Sequence, residues 1–219
     1  MSTHRVLFAL LSVGLLAGCS GGASEDASSA DIAKVSQVKS TFGPEFQITE
    51  KSSGIDPKML ETPKLPDGLK FDPADCAAFA TEETLPDDLK GNMSSVIAEG
   101  EGNRFVVIAM QTSQEVPVKD PGEKCKKVSF STGTMRGTIE AVPAPEIEGA
   151  KTVGVHRVLE ANINGKSQTG EVYSYLAHFG DHQVIVTANP LVTADKPVAP
   201  VDTKRAEALL TEAVNAIRS

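Results

Sequence analysis

The stretch from Thr152 to Ala188 constrains the fold more than any other. Its apolar runs are interrupted at Asn164-Gly165, a strong signal for a two-residue hairpin turn, and again at Gly180-Asp181. With two residues in each turn, Ile163 faces Lys166, His156 faces Tyr173, Phe179 faces His182 and Tyr175 faces Val186. Side chains alternate along a strand. One face of this meander therefore carries His156, Val158, Tyr173, Tyr175, Phe179, Val184 and Val186. The other carries Val153, Val155, Arg157, Leu159, Val172, Leu176, His178 and Ile185. Both sets are largely apolar, so the sheet is expected to be covered on both sides.

The flanking segments supply the cover. Ile32, Val35, Val38 and Phe42 fall near helical spacing, with Asp31 or Ser29 as cap and Gly43-Pro44 as the stop. At the other end, Asp202 caps a helix from Thr203 to about Arg218. Its apolar stripe is Ala206, Leu209, Leu210, Ala213, Val214 and Ile217. Further strands are expected at Phe46–Thr49, Met93–Ala98 and Arg104–Thr112, and at the alternating Met135–Ala141. The run Phe105–Met110 is apolar without a break, the pattern of a strand buried on both faces. Residues 52–71, rich in Pro, Gly and Asp, read as a long surface loop with a turn at Pro57 to Leu60. Asp72-Pro73 reads as a helix start, the helix running to about Ala80 and carrying Cys76 and Phe79. Residues 114–127 read as a loop passing into a short helix that presents Cys125. The fold class is α+β: an antiparallel sheet with N- and C-terminal helices packed on it.

The N-terminus is an address. Arg5 and the amino group precede an apolar run, Val6 to Leu16, shorter than the roughly 20 residues that span a bilayer. Leu16-Ala17-Gly18-Cys19 resembles the lipobox of a bacterial lipoprotein. That resemblance implies cleavage before Cys19 and a lipid on its sulfur. Two or more acyl chains anchor stably where one is marginal. The chain then divides into a signal peptide at 1–18, a flexible tether at 19–30 and one ectodomain at 31–219. The tether is Ser, Gly and Ala with two acids, and cannot bury apolar surface.

Charge narrows the partners. The chain carries 21 basic and 29 acidic residues for a net charge of −8. An acidic ectodomain is a poor partner for nucleic acid. Its closest approach to a basic patch is Lys124-Cys125-Lys126-Lys127, read as a solvated helix face. Tryptophan is absent and aromatics make up only 5% of the chain, which weighs against a sugar-stacking surface. With Cys19 assigned to the lipid, Cys76 and Cys125 remain. An even pair in an exported domain reads as a disulfide, against two free thiols or a nucleophilic cysteine.

Chemistry-bearing motifs are few. His178 and His182 have the spacing of a helical zinc pair, but the hairpin register puts them on opposite faces. His156 opposite Tyr173 and near Tyr175 makes a better polar cluster. It reads as a satisfied core histidine or as a ligand-orienting group in an apolar pocket under a helix. Acids between Asp72 and Asp88 lie on loops, and Glu99–Asn103 reads as a turn rather than a calcium loop. No nucleophile elbow and no phosphate-cradling glycine loop occurs.

With these segments placed, the chain resembles a family of mycobacterial (actinobacterial) lipoproteins that carry a domain of unknown function. The resemblance runs from about Val35 to the C-terminus. It rests on VKSTFGPEF, GIDPKML, LPDGLKFDPADC, GNRFVVIA, TANPLV and KPVAPVDTKRAEALL. More distantly, it is similar to the extracellular sensor domain of PknH-type kinases, which has a second disulfide and is ascribed an unidentified ligand. The resemblance implies an outer-leaflet location, a Cys76–Cys125 bridge and a binding role. It supplies no catalytic residue, metal ligand or cofactor.

The expectation is a lipid-anchored, non-enzymatic envelope protein, on the outer face of the cell membrane. Its partner is a lipid, a glycolipid or another envelope protein, with His156, Tyr173 and Tyr175 as candidate ligand-binding residues. The alternatives are an envelope hydrolase or transferase with a loop-assembled site, and a structural surface protein.

Overall fold

The computed structural model describes residues 29–55, 68–78, 89–116, 118, 120–163, 165–192 and 197–219. The signal sequence, Cys19, the turn at Pro57 to Leu60, Phe79 and the acids from Glu82 to Asp88 lie outside them.

Among the described residues nine strands form one antiparallel sheet. In chain order they are β1 (Gln47–Gly54), β2 (Lys70–Asp72), β3 (Gly91–Gly100), β4 (Asn103–Thr112) and β5 (Lys127–Ser131). The remainder are β6 (Met135–Val142), β7 (Lys151–Ile163), β8 (Lys166–Phe179) and β9 (His182–Pro190). The spatial order is β1-β3-β4-β9-β8-β7-β6-β5-β2, so β9 folds back beside β4 at the centre. The meander has the register its turns dictate: Ile163 pairs with Lys166, His156 with Tyr173, Phe179 with His182 and Tyr175 with Val186. Gly165 and Gly180 both hold positive φ, which two-residue hairpin turns require.

One face of the sheet is closed by helices. The C-terminal helix Thr203–Arg218 buries Ala206, Leu209, Leu210, Ala213, Val214 and Ile217, the whole stripe expected of it. They meet Phe105, Val107 and Ala109 of β4, Val184, Val186 and Ala188 of β9, and Tyr175, Ala177 and Phe179 of β8. Asp202 Oδ1 accepts the Arg205 N–H at 3.0 Å and caps the helix. The N-terminal segment Ile32–Thr41 is a 3-10 helix, capped by Asp31, that buries Val35 and Val38 beside the C-terminal helix. Its start also completes its neighbour's end. Asp31 N–H donates to the Ile217 carbonyl at 2.7 Å and the Lys34 ammonium to the Ser219 carbonyl. The last carbonyls of a helix have no partner within it, so these bonds answer a standing need.

The opposite face is covered only in part by the described residues. Among the described residues it is crossed at one end by the segment after β4. There His178 Nε2 meets Glu115 Oε1 at 3.0 Å, and Gln183 Nε2 donates to the Val116 carbonyl at 3.0 Å. Val106, Ile108, Val153, Val155, Val172, Leu176 and Ile185 are only half-buried. Leu159 is 40% exposed. We call this the open face.

Two local readings are corrected. Asp72 closes the short strand β2 instead of capping a helix, and the Asp72–Pro73 peptide is cis. Pro73 takes the cap position of a 3-10 turn, Ala74–Cys76, with no side-chain bond. The loop read over 52–71 contains the end of β1 and most of β2. Cys76 and Cys125 form a disulfide with Cα atoms 5.6 Å apart, pinning β2 and its turn to the segment that leads into β5. Lys124, Lys126 and Lys127 pair respectively with Asp75, Glu123 and Glu140, so the basic run is a solvated, neutralised surface.

Candidate functional site

The helix-bearing face brings His156, Tyr173 and Tyr175 together. His156 and Tyr173 are cross-strand partners, and their rings stack with centroids 4.1 Å apart at 11°. His156 Nε2 lies 2.9 Å from Glu171 Oε1, a diagonal neighbour on the same face. Tyr175, 1% exposed, donates its hydroxyl to Glu207 Oε1 on the C-terminal helix at 3.2 Å. Burial, then the charge of Glu207, pushes the Tyr175 hydroxyl well above the ordinary tyrosine range. Burial, with Glu171 and Glu140 nearby, raises Tyr173 as well.

A phenol held protonated is a hydrogen-bond donor, not a nucleophile. His156 bonds a carboxylate side chain, so it is neither an isolated base nor a backbone-satisfied core residue. The cluster is a packed polar seam along the sheet that reaches the helix through Tyr175. His156, Tyr173 and Tyr175 line none of the three grooves described below.

His178 and His182 sit on opposite faces, as the hairpin register requires. His178 bonds Glu115 on the open face, while His182 stacks on Phe179 beneath the helices. Among the described residues, no group of three or more His, Cys, Asp and Glu side chains could hold a metal ion.

The roomiest of the three grooves lies on the open face, where sequence reasoning placed no site. Its volume is about 500 Å³. Leu69, Phe71, Phe130, Ile139, Leu159 and Val172 give it apolar walls, and Arg157 and Asn189 give it polar ones. Gly170, directly opposite Leu159 in the β7–β8 pair, forms part of the floor. A Cβ at Gly170 would meet nothing within 4 Å, so this glycine leaves the groove open. Gly137 acts differently. A Cβ there would collide with the Phe130 ring and the Val158 carbonyl, so the glycine lets Phe130 lie down on β6. Phe71 of β2 packs against Phe130 of β5 with centroids 6.3 Å apart, forming one end of the groove.

The signal for this site was present but scattered. Gly137 and Gly170 share a face with Ile139, Leu159 and Val172, and glycines amid apolar positions mark a thin place in a sheet. Two smaller spaces are less suited to a ligand. One, about 420 Å³, is lined by Arg136 and Glu160, which neutralise each other at 2.7 Å. The other, about 230 Å³, shares the same pair beside the β5–β6 turn.

Among curated proteins none matches the chain. The X-ray structure of an uncharacterized protein from Mycobacterium smegmatis is 54% identical and superposes with a TM-score of 0.80, covering 87% of this chain and 98% of that one. A structure of the extracellular domain of PknH from Mycobacterium tuberculosis is 14% identical, covers 84% of this chain and 91% of that one, and has a TM-score of 0.42. The family described as "Domain of unknown function (DUF5642)" matches residues 31–218, and the chain belongs to it.

Proposed function

We propose that this protein is a lipid-anchored, non-enzymatic protein of the cell envelope that holds an apolar or amphipathic ligand on the open face of its sheet. The observation that carries the ligand is the groove of about 500 Å³ walled by Phe71, Phe130, Ile139, Leu159 and Val172. Small-molecule sites run from about 300 to 1,000 Å³ and are mostly apolar with a few polar groups. The groove fits both descriptions. We place the ligand there rather than at His156, Tyr173 and Tyr175, because His156 and Tyr175 are already bonded to Glu171 and Glu207.

The anchor rests on Leu16-Ala17-Gly18-Cys19 and the Ser/Gly/Ala-rich stretch that follows. Outer-leaflet placement is supported by the disulfide, since such bonds persist in oxidising compartments. The non-enzymatic reading is supported by the polar seam, where Tyr175 is held as a protonated donor to Glu207 and His156 is bonded to Glu171.

Native mass spectrometry with lipid extraction, on the 20–219 chain purified from an actinobacterial host, tests the proposal. A relative of domain length folds in its own crystal, so the truncated chain is a fair subject. A stoichiometric lipid or glycolipid adduct is the expected result. A clean unliganded mass would argue against a tightly held ligand and turn attention to an envelope protein partner, sought by cross-linking.

A further inference from the structure

We infer that the open-face groove selects an anionic single-chain amphiphile, a long-chain carboxylate, with its head at Arg157 and its chain lying over Gly170. This deepens the binding role proposed above and rests on it.

Arg157 supplies the charge. The other described arginines all have partners. Arg104 pairs with Glu99, Arg136 with Glu160, and Arg205 with Glu101 and Asp202. Arg218 donates to the Glu148 and Gly149 carbonyls and lies over Phe179. Arg157 makes no ion pair, side-chain hydrogen bond or ring contact among the described residues. It stands on the wall of the most apolar groove, beside Val172, its cross-strand partner. Glu171 also borders the groove, but the strand alternation sends its side chain to the helix-bearing face, where it bonds His156. The groove therefore presents one uncompensated positive charge against aliphatic and aromatic walls. A guanidinium is shaped to take a carboxylate through two parallel N–H donors.

Size decides between one chain and several. At about 500 Å³ the groove is in the lower half of the range for small-molecule sites, which suits one acyl chain better than the two or more of a membrane lipid. The floor decides direction. Gly170 offers no side chain and nothing stands within 4 Å of where its Cβ would be, so a chain starting at Arg157 can pass over it. Ile139 and the Phe71–Phe130 pair wall the groove on the other side of Arg157, toward β2.

The test is displacement of a neutral fluorescent apolar probe, N-phenyl-1-naphthylamine, from the 20–219 chain by palmitate and by the uncharged hexadecanol. Wild type is expected to bind palmitate more tightly. Arg157→Gln should weaken palmitate about tenfold, the order expected for one charge-assisted bond, and leave hexadecanol unchanged. Gly170→Leu should abolish binding of both by filling the floor. Its melting temperature should match or exceed wild type, because the added side chain meets open space. If Gly170→Leu misfolds, Leu159→Asp at the exposed rim serves in its place, weakening both and palmitate most.

The outcomes separate the two readings. Equal binding of both amphiphiles, untouched by Arg157→Gln, overturns the anionic head and keeps the apolar groove. Binding that survives Gly170→Leu in a folded protein overturns the groove as the site. Failure of wild type to bind either amphiphile or the probe overturns both readings together.

Discussion

The Tyr175 hydroxyl donates to Glu207 Oε1 at 3.2 Å, joining the centre of the sheet to the helix that covers it. Because burial and the neighbouring carboxylate disfavour the phenolate, the folded protein holds this tyrosine protonated to higher pH than the unfolded chain does. The unfolded group titrates near 10.0. A raised folded pKa gives stabilisation that is fully present below that pH. It is lost as the pH climbs above it, because the unfolded state then ionises first. Wild type should therefore lose stability between pH 9 and pH 11 more steeply than Tyr175→Phe (a window of about one unit either side of that value), read as urea midpoints. At neutral pH Tyr175→Phe should cost about 0.5–1.5 kcal/mol, the net worth of one hydrogen bond. Parallel pH profiles for the two proteins would remove the tyrosine from this account.

Two glycines on one face should respond oppositely to alanine. Gly137→Ala forces the Phe130 ring and the Val158 strand apart, and overpacking of this kind costs about 1–3 kcal/mol. Gly170→Ala meets nothing, and relieves the entropic weakness of a glycine in a strand, so it should be neutral or stabilising by up to about 1 kcal/mol. Thermal unfolding of the pair checks both; equal destabilisation would mean that the two sites are not distinguished by space.

Peptide mapping without reductant should recover Cys76 joined to Cys125. The bridge closes a loop with a sequence separation of 49. Chain entropy assigns such a loop up to about 4 kcal/mol, so reduction or a Cys76→Ser/Cys125→Ser double variant should lower the unfolding free energy by about 2–4 kcal/mol. Alkylation of both thiols in unreduced native protein is the contrary result.

Cys19→Ala should move the protein from the membrane fraction to the soluble fraction, since it removes the sulfur that the proposed lipid would occupy; among the described residues no helix is long and apolar enough to cross a membrane. Continued tight sedimentation with membranes would mean that the lipobox reading is mistaken.

How much of this was legible beforehand depended on how local the signal was. The β7–β8–β9 register follows from two turns, each written in adjacent residues, and the C-terminal helix from a stripe within sixteen positions. Both were readable because a turn or a helix is specified by neighbours in sequence. The strand β2 was not readable. It has three residues, two of them charged, and exists because β5 offers it an edge through the Phe71–Phe130 pairing. The same tertiary demand turned Asp72 from a helix cap into a strand end. On the open face the apolar residues call for a covering layer, which the described residues supply at the His178 end. His156, Tyr173 and Tyr175 do come together, but as a packed seam. The groove draws its walls from β2, β5, β6, β7, β8 and β9, and its signal is the glycines at 137 and 170, which announce themselves only once the strands are aligned.

The bond from Asp31 N–H to the Ile217 carbonyl carries a mechanical consequence. Any load arriving along the chain from before Ser29 reaches the domain at the last turn of the C-terminal helix, through Asp31 and Lys34. Such a pull would peel the 3-10 helix from that end before it strained a single strand pair. The sheet, and the groove on its far side, would be shielded from tension while the N-terminal clasp acts as the compliant joint.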